Sequence, residues 1–244
     1  LEKLLKNLRR AVLVNILDIQ DGSPELLSFQ TALALQCFIN EYIYSHTEEE
    51  TKILQSLEGR VKVNLDNNEQ PSPQLVLALA SYKALNQYDW CYSLAVTDHI
   101  QEVFNCQVEE PKHEEKLKKQ LQVLEEITDS VSSKVRAQYE ESPYPRWVNL
   151  GLKLRSRSIS EVIDQIKLKL CSQKINEVEK PNILIAGCGT GQHSIVTASK
   201  FKSSKVLAID LSLSSLAYAK RKTDELDIEN LEYMQADILD LDQL

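Results

Sequence analysis

The sequence has 244 residues, enough for one large domain or two small ones. Its apolar fraction of 43% excludes a disordered chain, and its 6 Gly and 7 Pro are too few for a turn-rich β-sandwich or a collagen-like repeat. With 28 Lys and Arg against 36 Asp and Glu, the net charge of −8 argues against a general nucleic-acid-binding protein.

The chain carries 5 cysteines without a C-x-x-C pair, and their mostly apolar neighbours favour buried, reduced thiols over disulfides or zinc ligands. Its 4 histidines are scattered, so the sequence predicts no metal site. No apolar run approaches the ~20 residues of a membrane span, and no signal peptide is visible. We therefore expect a cytoplasmic protein that does not associate with membranes. Because the chain begins at Leu1 and its one methionine is Met234, we expect a fragment of a longer protein.

Residues 1–130 are predicted to form an all-α domain. Ser23 followed by Pro24 is typical of an N-cap with proline at the first helical position. Thr47 and Glu50 fit a capping box for the next helix. Two later helices are predicted to open at prolines, the second with an apolar stripe that favours core packing: Pro73 and Pro111, with Leu117, Leu121, Leu124 and Ile127. Such a domain offers surfaces for a protein partner.

Residues 131–180 are predicted to form a linker or lid segment. Residues 142–151 interrupt the helical pattern, because two prolines within three residues forbid a regular helix. Ser158 and Glu161 predict a further capped helix that ends at about Gln173.

Short apolar runs alternate with helical patterns in residues 181–244. The predicted strands are 182–186, 205–209 and 231–236, and the predicted helices are 194–200 and one opened by Ser212 that ends at about Leu226. Strand, helix, strand, helix, strand within about 55 residues predicts a right-handed parallel α/β unit.

Half of the 6 glycines, Gly187, Gly189 and Gly191, lie between the first of these strands and its helix. Glycine permits a sharp turn and a close approach of the backbone to a ligand, and the helix N-terminus offers free N–H groups to an anion. Asp210 ends the second strand, where a carboxylate can accept hydrogen bonds from both ribose hydroxyls. Asp237 ends the third strand, where it can accept from an adenine amine or fix the loop that frames the base. The pattern predicts a nucleotide-like cofactor.

Other functions fit this pattern less well. An NAD-dependent oxidoreductase is less favoured, because its G-x-G-x-x-G fingerprint requires glycine where Gln192 stands. A P-loop is excluded, because no G-K-[ST] sequence follows the glycines. The non-enzymatic alternative is a helical interaction or scaffold protein with a catalytically incompetent nucleotide-binding domain. The intact glycines and both acids count against it.

The sequence resembles the class I S-adenosylmethionine-dependent methyltransferases over roughly residues 181–242. The matching motifs are Gly187-Cys188-Gly189-Thr190-Gly191, the acid Asp210, and Ala236-Asp237. The resemblance implies an α/β Rossmann-like methyltransferase fold, here its first half with about three parallel strands, preceded by the all-α domain. It also implies S-adenosyl-L-methionine as the cofactor. The cofactor-binding residues that it implies are Ala186, Gly187, Cys188, Gly189, Gly191, His193, Asp210, Leu211, Asp237 and Ile238.

One position departs from the family pattern. Many members have an acid two residues before the first glycine, near the methionine ammonium group, whereas Ile185 stands there in this chain. The resemblance implies that the ammonium group relies instead on backbone carbonyls near Ala186 and Gly187.

The family builds its acceptor side from the fourth strand onward. We therefore expect the catalytic base and most substrate contacts to lie outside this chain, so that its catalytic residues stay unidentified. We expect the chain to supply the cofactor-binding half of a methyltransferase and to be inactive alone. Its acidity disfavours nucleic acid as the methyl acceptor and favours a protein or a small molecule.

A second resemblance involves the segment Tyr139-Glu140-Glu141-Ser142-Pro143-Tyr144-Pro145-Arg146-Trp147. It is similar to a segment that precedes the first motif in a bacterial subgroup with an N-terminal helical region associated with tetratricopeptide repeats. We hypothesise that it folds over the cofactor as a lid. In this lid Arg146 would hold the cofactor carboxylate, and Tyr139 or Tyr144 would shield the sulfonium by cation–π contact. The alternative is a rigid linker whose aromatic residues pin the helical domain to the sheet.

Overall fold

The computed structural model of the protein describes residues 2–16, 23–141, 143–152, 155–201 and 203–243. The chain divides into two compact units, Leu1–Lys112 and His113–Leu244. This division falls earlier in the chain than the predicted boundary at residue 130.

The first unit is helical in its described part. It also contains two short 3-10 turns, at Leu85–Gln87 and Cys91–Ser93. The helices are α1 (Glu2–Asn15), α2 (Pro24–Ile39), α3 (Glu48–Asp66), α4 (Pro73–Ala80) and α5 (Gln101–Phe104), followed by a π-helical turn at Asn105–Glu109. The next helix, α6 (Glu110–Lys118), continues the chain into the second unit.

Local capping bonds define the starts of α2 and α3. The Ser23 hydroxyl oxygen accepts a hydrogen bond from the Leu26 amide at 3.3 Å. Thr47 and Glu50 form a reciprocal capping box, with amide-to-side-chain distances of 3.2 and 2.7 Å. Both predicted helix starts are therefore confirmed.

The core of the first unit surrounds α4, in which every residue after Pro73 is buried. Arg9 is only 1% exposed, and its guanidinium lies 4.0 Å from the centre of the Tyr82 ring. Its Nη2 donates to the Tyr44 carbonyl oxygen at 2.8 Å. The Tyr82 hydroxyl donates to the Glu50 carboxylate at 2.7 Å, so the capping box of α3 is tied to this core.

The second unit contains, in its described part, a four-stranded parallel sheet. The strands are β1 (Gln122–Val123), β2 (Asn182–Ala186), β3 (Lys205–Asp210) and β4 (Leu231–Gln235), in the order β1-β4-β3-β2. The helices are α7 (Ser130–Glu141), α8 (Ile159–Ile166), α9 (Gln192–Lys200) and α10 (Leu213–Glu225). The alternation β2, α9, β3, α10, β4 confirms the predicted α/β unit with a Rossmann-like arrangement.

Apolar burial holds this sheet to its helices. Ala208 and Ile209, which face opposite sides of β3, are at most 1% exposed, and Ile195 of α9 and Leu216 of α10 are fully buried. A parallel strand with buried side chains on both faces needs helices to cover it, which explains the nearly continuous apolar run in β3. At the β2 end of the strand order, Leu184 is 47% exposed.

The structure differs from the helical prediction after Lys118, where α6 ends. Gln122 and Val123 form β1 beside β4, and the Leu124 amide donates to the Gln235 carbonyl oxygen at 2.9 Å. The leucine spacing favoured a helix, but the edge of β4 offers backbone hydrogen bonds that a local pattern does not reveal.

The helix α8 begins at its predicted capping box but ends at Ile166 rather than near Gln173. The next residue, Lys167, has a positive φ of 52°, and the Leu168 amide donates to the Ile163 carbonyl oxygen at 3.2 Å. This pattern is a Schellman closure, which satisfies the last helical carbonyls without a glycine signal in the sequence.

The five cysteines are free thiols. No three His, Cys, Asp or Glu side chains within the described ranges are grouped as a metal site would require. None of the helices in the described part of the chain combines the length and apolar character that crossing a bilayer demands.

Candidate cofactor site

A loop of glycines connects β2 to α9. Gly187, Gly189 and Gly191 have positive φ angles of 69°, 53° and 81°, a region that other residues seldom adopt. The Cys188 amide donates to the Ile209 carbonyl oxygen at 3.0 Å, so the loop is tied to the end of β3. The predicted turn from strand through glycines to helix is confirmed.

Gly191 lies too close to its neighbours for any side chain. A Cβ atom there would stand 2.5 Å from the Cβ of Ala219 in α10 and 2.8 Å from the Tyr233 hydroxyl of β4. Gly187 and Gly189, in contrast, have no such atom within 4 Å of where a Cβ would stand. The third glycine therefore permits close packing, whereas the first two leave open space beside the loop.

The Asp210 carboxylate links the glycine loop to the turn that follows β3. Its Oδ2 accepts a hydrogen bond from the Gly189 amide at 2.7 Å, and its Oδ1 accepts from the Ser212 amide at 3.0 Å. An ionised carboxylate has about four lone-pair sites, so each oxygen retains capacity for a further donor. The half-buried Asp210 can therefore accept hydrogen bonds from ligand hydroxyls.

A cavity of about 320 Å³ opens at the carboxyl ends of the strands, beside the glycine loop. Part of its lining comes from α7 and the segment after it. The lining residues are Val135, Tyr139, Tyr144, Gly187, Gly189, Ile209, Asp210, Leu211, Ser215, Ala236 and Ile238. This volume, with apolar walls and few polar groups, is typical of a small-molecule site.

Sequence reasoning identified most of this lining. Seven predicted residues line the cavity: Tyr139, Tyr144, Gly187, Gly189, Asp210, Leu211 and Ile238. It did not single out Val135, Ile209, Ser215 or Ala236 as contacts. Val135 lies one helical turn before Tyr139, and this spacing could have indicated it. No local sequence pattern marks Ser215 as a cavity residue, because it reaches the cavity from α10.

Five further predicted residues, near the glycine loop and β4, lie outside this lining: Ala186, Cys188, Gly191, His193 and Asp237. His193 is exposed on α9. Burial raises the pKa of the Cys188 thiol, and the charge of Asp210 raises it further, so this thiol stays protonated. Asp237 is 3% exposed, and its Oδ1 accepts from the Leu239 amide at 3.0 Å. Asp237 thus fixes the loop after β4.

The segment before the sheet is anchored to the glycine loop. The Thr190 hydroxyl donates to the Pro145 carbonyl oxygen at 2.8 Å, and the Trp147 indole N–H donates to the Thr190 carbonyl oxygen at 2.9 Å. Trp147 is buried in the core of the second unit, and its carbonyl oxygen accepts from the Tyr218 hydroxyl. Ser142, in the same motif, lies outside the described residues. Within the second unit, the segment is therefore pinned to the sheet while its tyrosines line the cavity.

Arg146 lies in a buried charge cluster and does not line the cavity. Its side chain is 14% exposed, and its Nη1 lies 3.9 Å from the Glu114 carboxylate, which also accepts from the Arg221 Nε at 2.9 Å. Its guanidinium lies 5.8 Å from the centre of the Tyr218 ring. In this structure the Arg146 guanidinium therefore faces the buried Glu114 carboxylate, and its contact with a cofactor carboxylate stays a prediction.

A larger cavity of about 500 Å³ lies where α10 ends and β4 begins. Lys220, Asp224 and Glu232 are among its lining residues. Ligands of open α/β sheets bind outside the carboxyl ends of the strands, and this cavity lies toward the amino end of β4. The candidate site is therefore the smaller cavity at the glycine loop.

Residues 183–244 match the family described as a methyltransferase domain. Over this segment, about a quarter of the chain, the sequence is therefore similar to a methyltransferase domain. The match starts inside β2 and includes the glycine loop, Asp210 and Asp237, so the segment that resembles this family contains these parts of the candidate site.

Two known proteins are similar to parts of this chain. Over 74 residues it is 35% identical to the release factor glutamine methyltransferase of Fusobacterium nucleatum subsp. nucleatum, a match that covers 30% of this chain and 21% of that protein. The chain thus spans about a fifth of the length of this curated relative. A solved structure, from work on the conversion of a disulfide bond into a thioacetal group during echinomycin biosynthesis, is 24% identical. That likeness covers 46% of this chain and 41% of the other, with a TM-score of 0.28.

Proposed function

We propose that the methyltransferase domain binds S-adenosyl-L-methionine in the cavity at the glycine loop. In this proposal the chain supplies the cofactor-binding part of an enzyme that methylates a protein or a small molecule. One observation carries it: Asp210 and the side-chain-free positions Gly187 and Gly189 meet at a single cavity in a methyltransferase domain.

The chemistry of the lining fits this cofactor. The remaining lone pairs of Asp210 can accept hydrogen bonds from both ribose hydroxyls. The open space beside Gly187 and Gly189 allows the backbone to approach a ligand closely. Leu211 and Ile238 offer apolar surface for an adenine ring, and Asp237 holds the loop that carries Ile238.

Tyr139 and Tyr144 suit the charge of the cofactor. When bound, S-adenosylmethionine supplies a methyl group on a positively charged sulfonium. Both tyrosines line the cavity with 39% and 60% of their surface exposed, so their rings are available to a ligand. Aromatic faces attract cations through their quadrupole, and they also exclude water from the cavity. We propose that this pair forms the lid, without Arg146.

The contribution of this chain to methyl transfer is alignment. Displacement at a methyl carbon is accelerated when the donor is held in one orientation, because orientation removes an entropic cost. The bond from the Gly189 amide to Asp210 and the paired bonds of Thr190 with Pro145 and Trp147 hold the walls of the cavity in place.

The proposal is tested by removing one acceptor from Asp210. We expect the unmodified chain to bind S-adenosylmethionine in equilibrium dialysis, and Asp210→Asn to bind about tenfold more weakly, because an amide donor replaces one carboxylate oxygen. Asp164→Asn is the matched control, since Asp164 is exposed on α8 and should leave the affinity unchanged. Equal affinity of the Asp210→Asn and Asp164→Asn variants would contradict the proposed role of Asp210.

A further inference from the structure

The start of α10 is capped by an acid from a distant part of the sequence. The Glu140 carboxylate accepts hydrogen bonds from the Leu213 amide and, at 3.1 Å, from the Ser214 amide. The Ser212 hydroxyl oxygen accepts from the Ser215 amide at 3.0 Å. The first turn of a helix has N–H groups without helical partners and carries partial positive charge. A carboxylate is therefore favoured at this position.

The same contact satisfies the end of α7. The Ser212 hydroxyl donates to the Tyr139 carbonyl oxygen at 3.0 Å. The Ser214 hydroxyl lies 2.8 Å from the Glu140 carbonyl oxygen and 2.6 Å from its carboxylate, so its single proton can serve either acceptor. These carbonyls belong to the last turn of α7, which has no helical donors for them. We call this set of bonds between residues 139–140 and 212–214 the Glu140 clasp.

The Glu140 clasp adjoins the cofactor cavity. Tyr139 lines the cavity from α7, and Ser215 lines it from α10. The Ser212 amide donates to Asp210, so the turn that joins the clasp also positions this carboxylate. No residue of α7 is buried, which means that little apolar packing holds this helix. Polar contacts with α10 therefore do much to hold Tyr139 in its position.

We propose that Glu140 is a positioning residue for the cofactor cavity. By capping α10, its carboxylate keeps Tyr139 over the cavity and holds the turn that presents Asp210. The proposal depends on cofactor binding at this cavity, but the clasp itself can be measured without any ligand. Glu141 provides a matched control: it is the next residue in α7, it is exposed, and its side chain makes no hydrogen bond or ion pair with another described residue.

The test compares Glu140→Ala, Glu140→Gln and Glu141→Ala in the 244-residue chain by hydrogen exchange and by titration with S-adenosylmethionine. We expect Glu140→Ala to speed exchange of the α7 amides while the β3 amides stay protected. We also expect it to weaken cofactor affinity by about fivefold, the loss of one helix cap. Glu140→Gln keeps one acceptor oxygen and should fall between the unmodified chain and Glu140→Ala. Glu141→Ala should match the unmodified chain.

Three outcomes would overturn the inference. If Glu140→Ala and Glu141→Ala show the same α7 exchange and the same affinity, Glu140 positions nothing. If both Glu140 variants speed exchange in β3 as much as in α7, the residue stabilises the whole unit and has no positioning role. If the unmodified chain does not bind S-adenosylmethionine, the proposed function fails together with this inference. The first two outcomes, in contrast, leave the proposed function intact.

Discussion

Among the described glycines, Gly191 leaves the least room for a side chain. Its positive φ disfavours any other residue, and a Cβ would stand 2.5 Å from the Cβ of Ala219. We expect Gly191→Ala to lower the free energy of unfolding by about 3 kcal/mol, from overpacking and backbone strain together. Urea denaturation measures this change.

Gly59 is the matched control for Gly191. It lies inside α3, where a Cβ would meet no such atom within 4 Å. Alanine has a higher helix propensity than glycine, so Gly59→Ala should raise stability by about 0.5–1 kcal/mol. A Gly191→Ala variant as stable as the unmodified chain would show that the loop can move away from α10.

Tyr144 tests the lid at the level of one side chain. Its ring lines the cavity and is 60% exposed, so it makes few contacts that the fold itself requires. We expect Tyr144→Ala to weaken S-adenosylmethionine binding by about fivefold, the worth of a partly desolvated cation–π contact, with little change in thermal stability.

Tyr92 serves as the control for Tyr144, because it is 63% exposed, belongs to the first unit and is not among the residues that line the cavity. Tyr92→Ala should leave cofactor affinity unchanged. Equal affinities of the Tyr144→Ala and Tyr92→Ala variants would favour a segment that only links and packs.

At the level of elements, the capping box of α3 couples stability to pH. Burial raises the pKa of Glu50, but hydrogen bonds from the Tyr82 hydroxyl and from Thr47, with the charge of Arg9, hold it below its ordinary value. A carboxyl group with a lowered folded-state pKa stabilises the fold fully above its unfolded pKa of about 4.3. That stabilisation is lost as the pH falls through the folded-state value.

We therefore expect Glu50→Gln to lower the free energy of unfolding at neutral pH. Below about pH 4.3, the difference in this free energy between the variant and the unmodified chain should become smaller. Circular dichroism of urea-denatured samples across this range measures the difference. Glu48→Gln, in the same helical turn but exposed, should show a much weaker effect. A constant difference between Glu50→Gln and the unmodified chain at all pH values would contradict the coupling.

Elements with local signals could be predicted from the sequence. The starts of α2, α3 and α10 follow from Ser23, Thr47 and Ser212, because each side chain accepts a hydrogen bond from an amide three residues later. The strands β2, β3 and β4 follow from short apolar runs between turns. The strand β1 and the end of α8 could not be predicted, because the first depends on the edge of β4 and the second on a left-handed Lys167.

The candidate site also contains residues that could be predicted from the sequence and contacts that could not. The glycines and Asp210 were predictable, since their positions depend on a turn and a strand end that the sequence marks. The capping of α10 by Glu140 of α7 was not predictable from spacing, because Glu140 meets Ser214 across 74 positions of sequence. The ion pair of Arg146 was not predictable for a related reason: Glu114 lies in α6, and no local pattern connects the two residues.

At the scale of the whole molecule, each unit has its own buried core. The core of the first unit includes Leu57, Leu77 and Leu85, and the core of the second includes Ile195, Ala208 and Leu216. The described residues that line the candidate cavity at the glycine loop all belong to the second unit. A ligand that binds only the folded state stabilises it by mass action, so cofactor should raise the thermal stability of the second unit.

The central claim is that this chain selects S-adenosylmethionine through the glycine loop and Asp210. Calorimetric titration of the unmodified chain with S-adenosylmethionine and, separately, with NAD tests it most directly. We predict saturable binding of S-adenosylmethionine at one site and no binding of NAD. Binding of NAD without binding of S-adenosylmethionine would contradict the account.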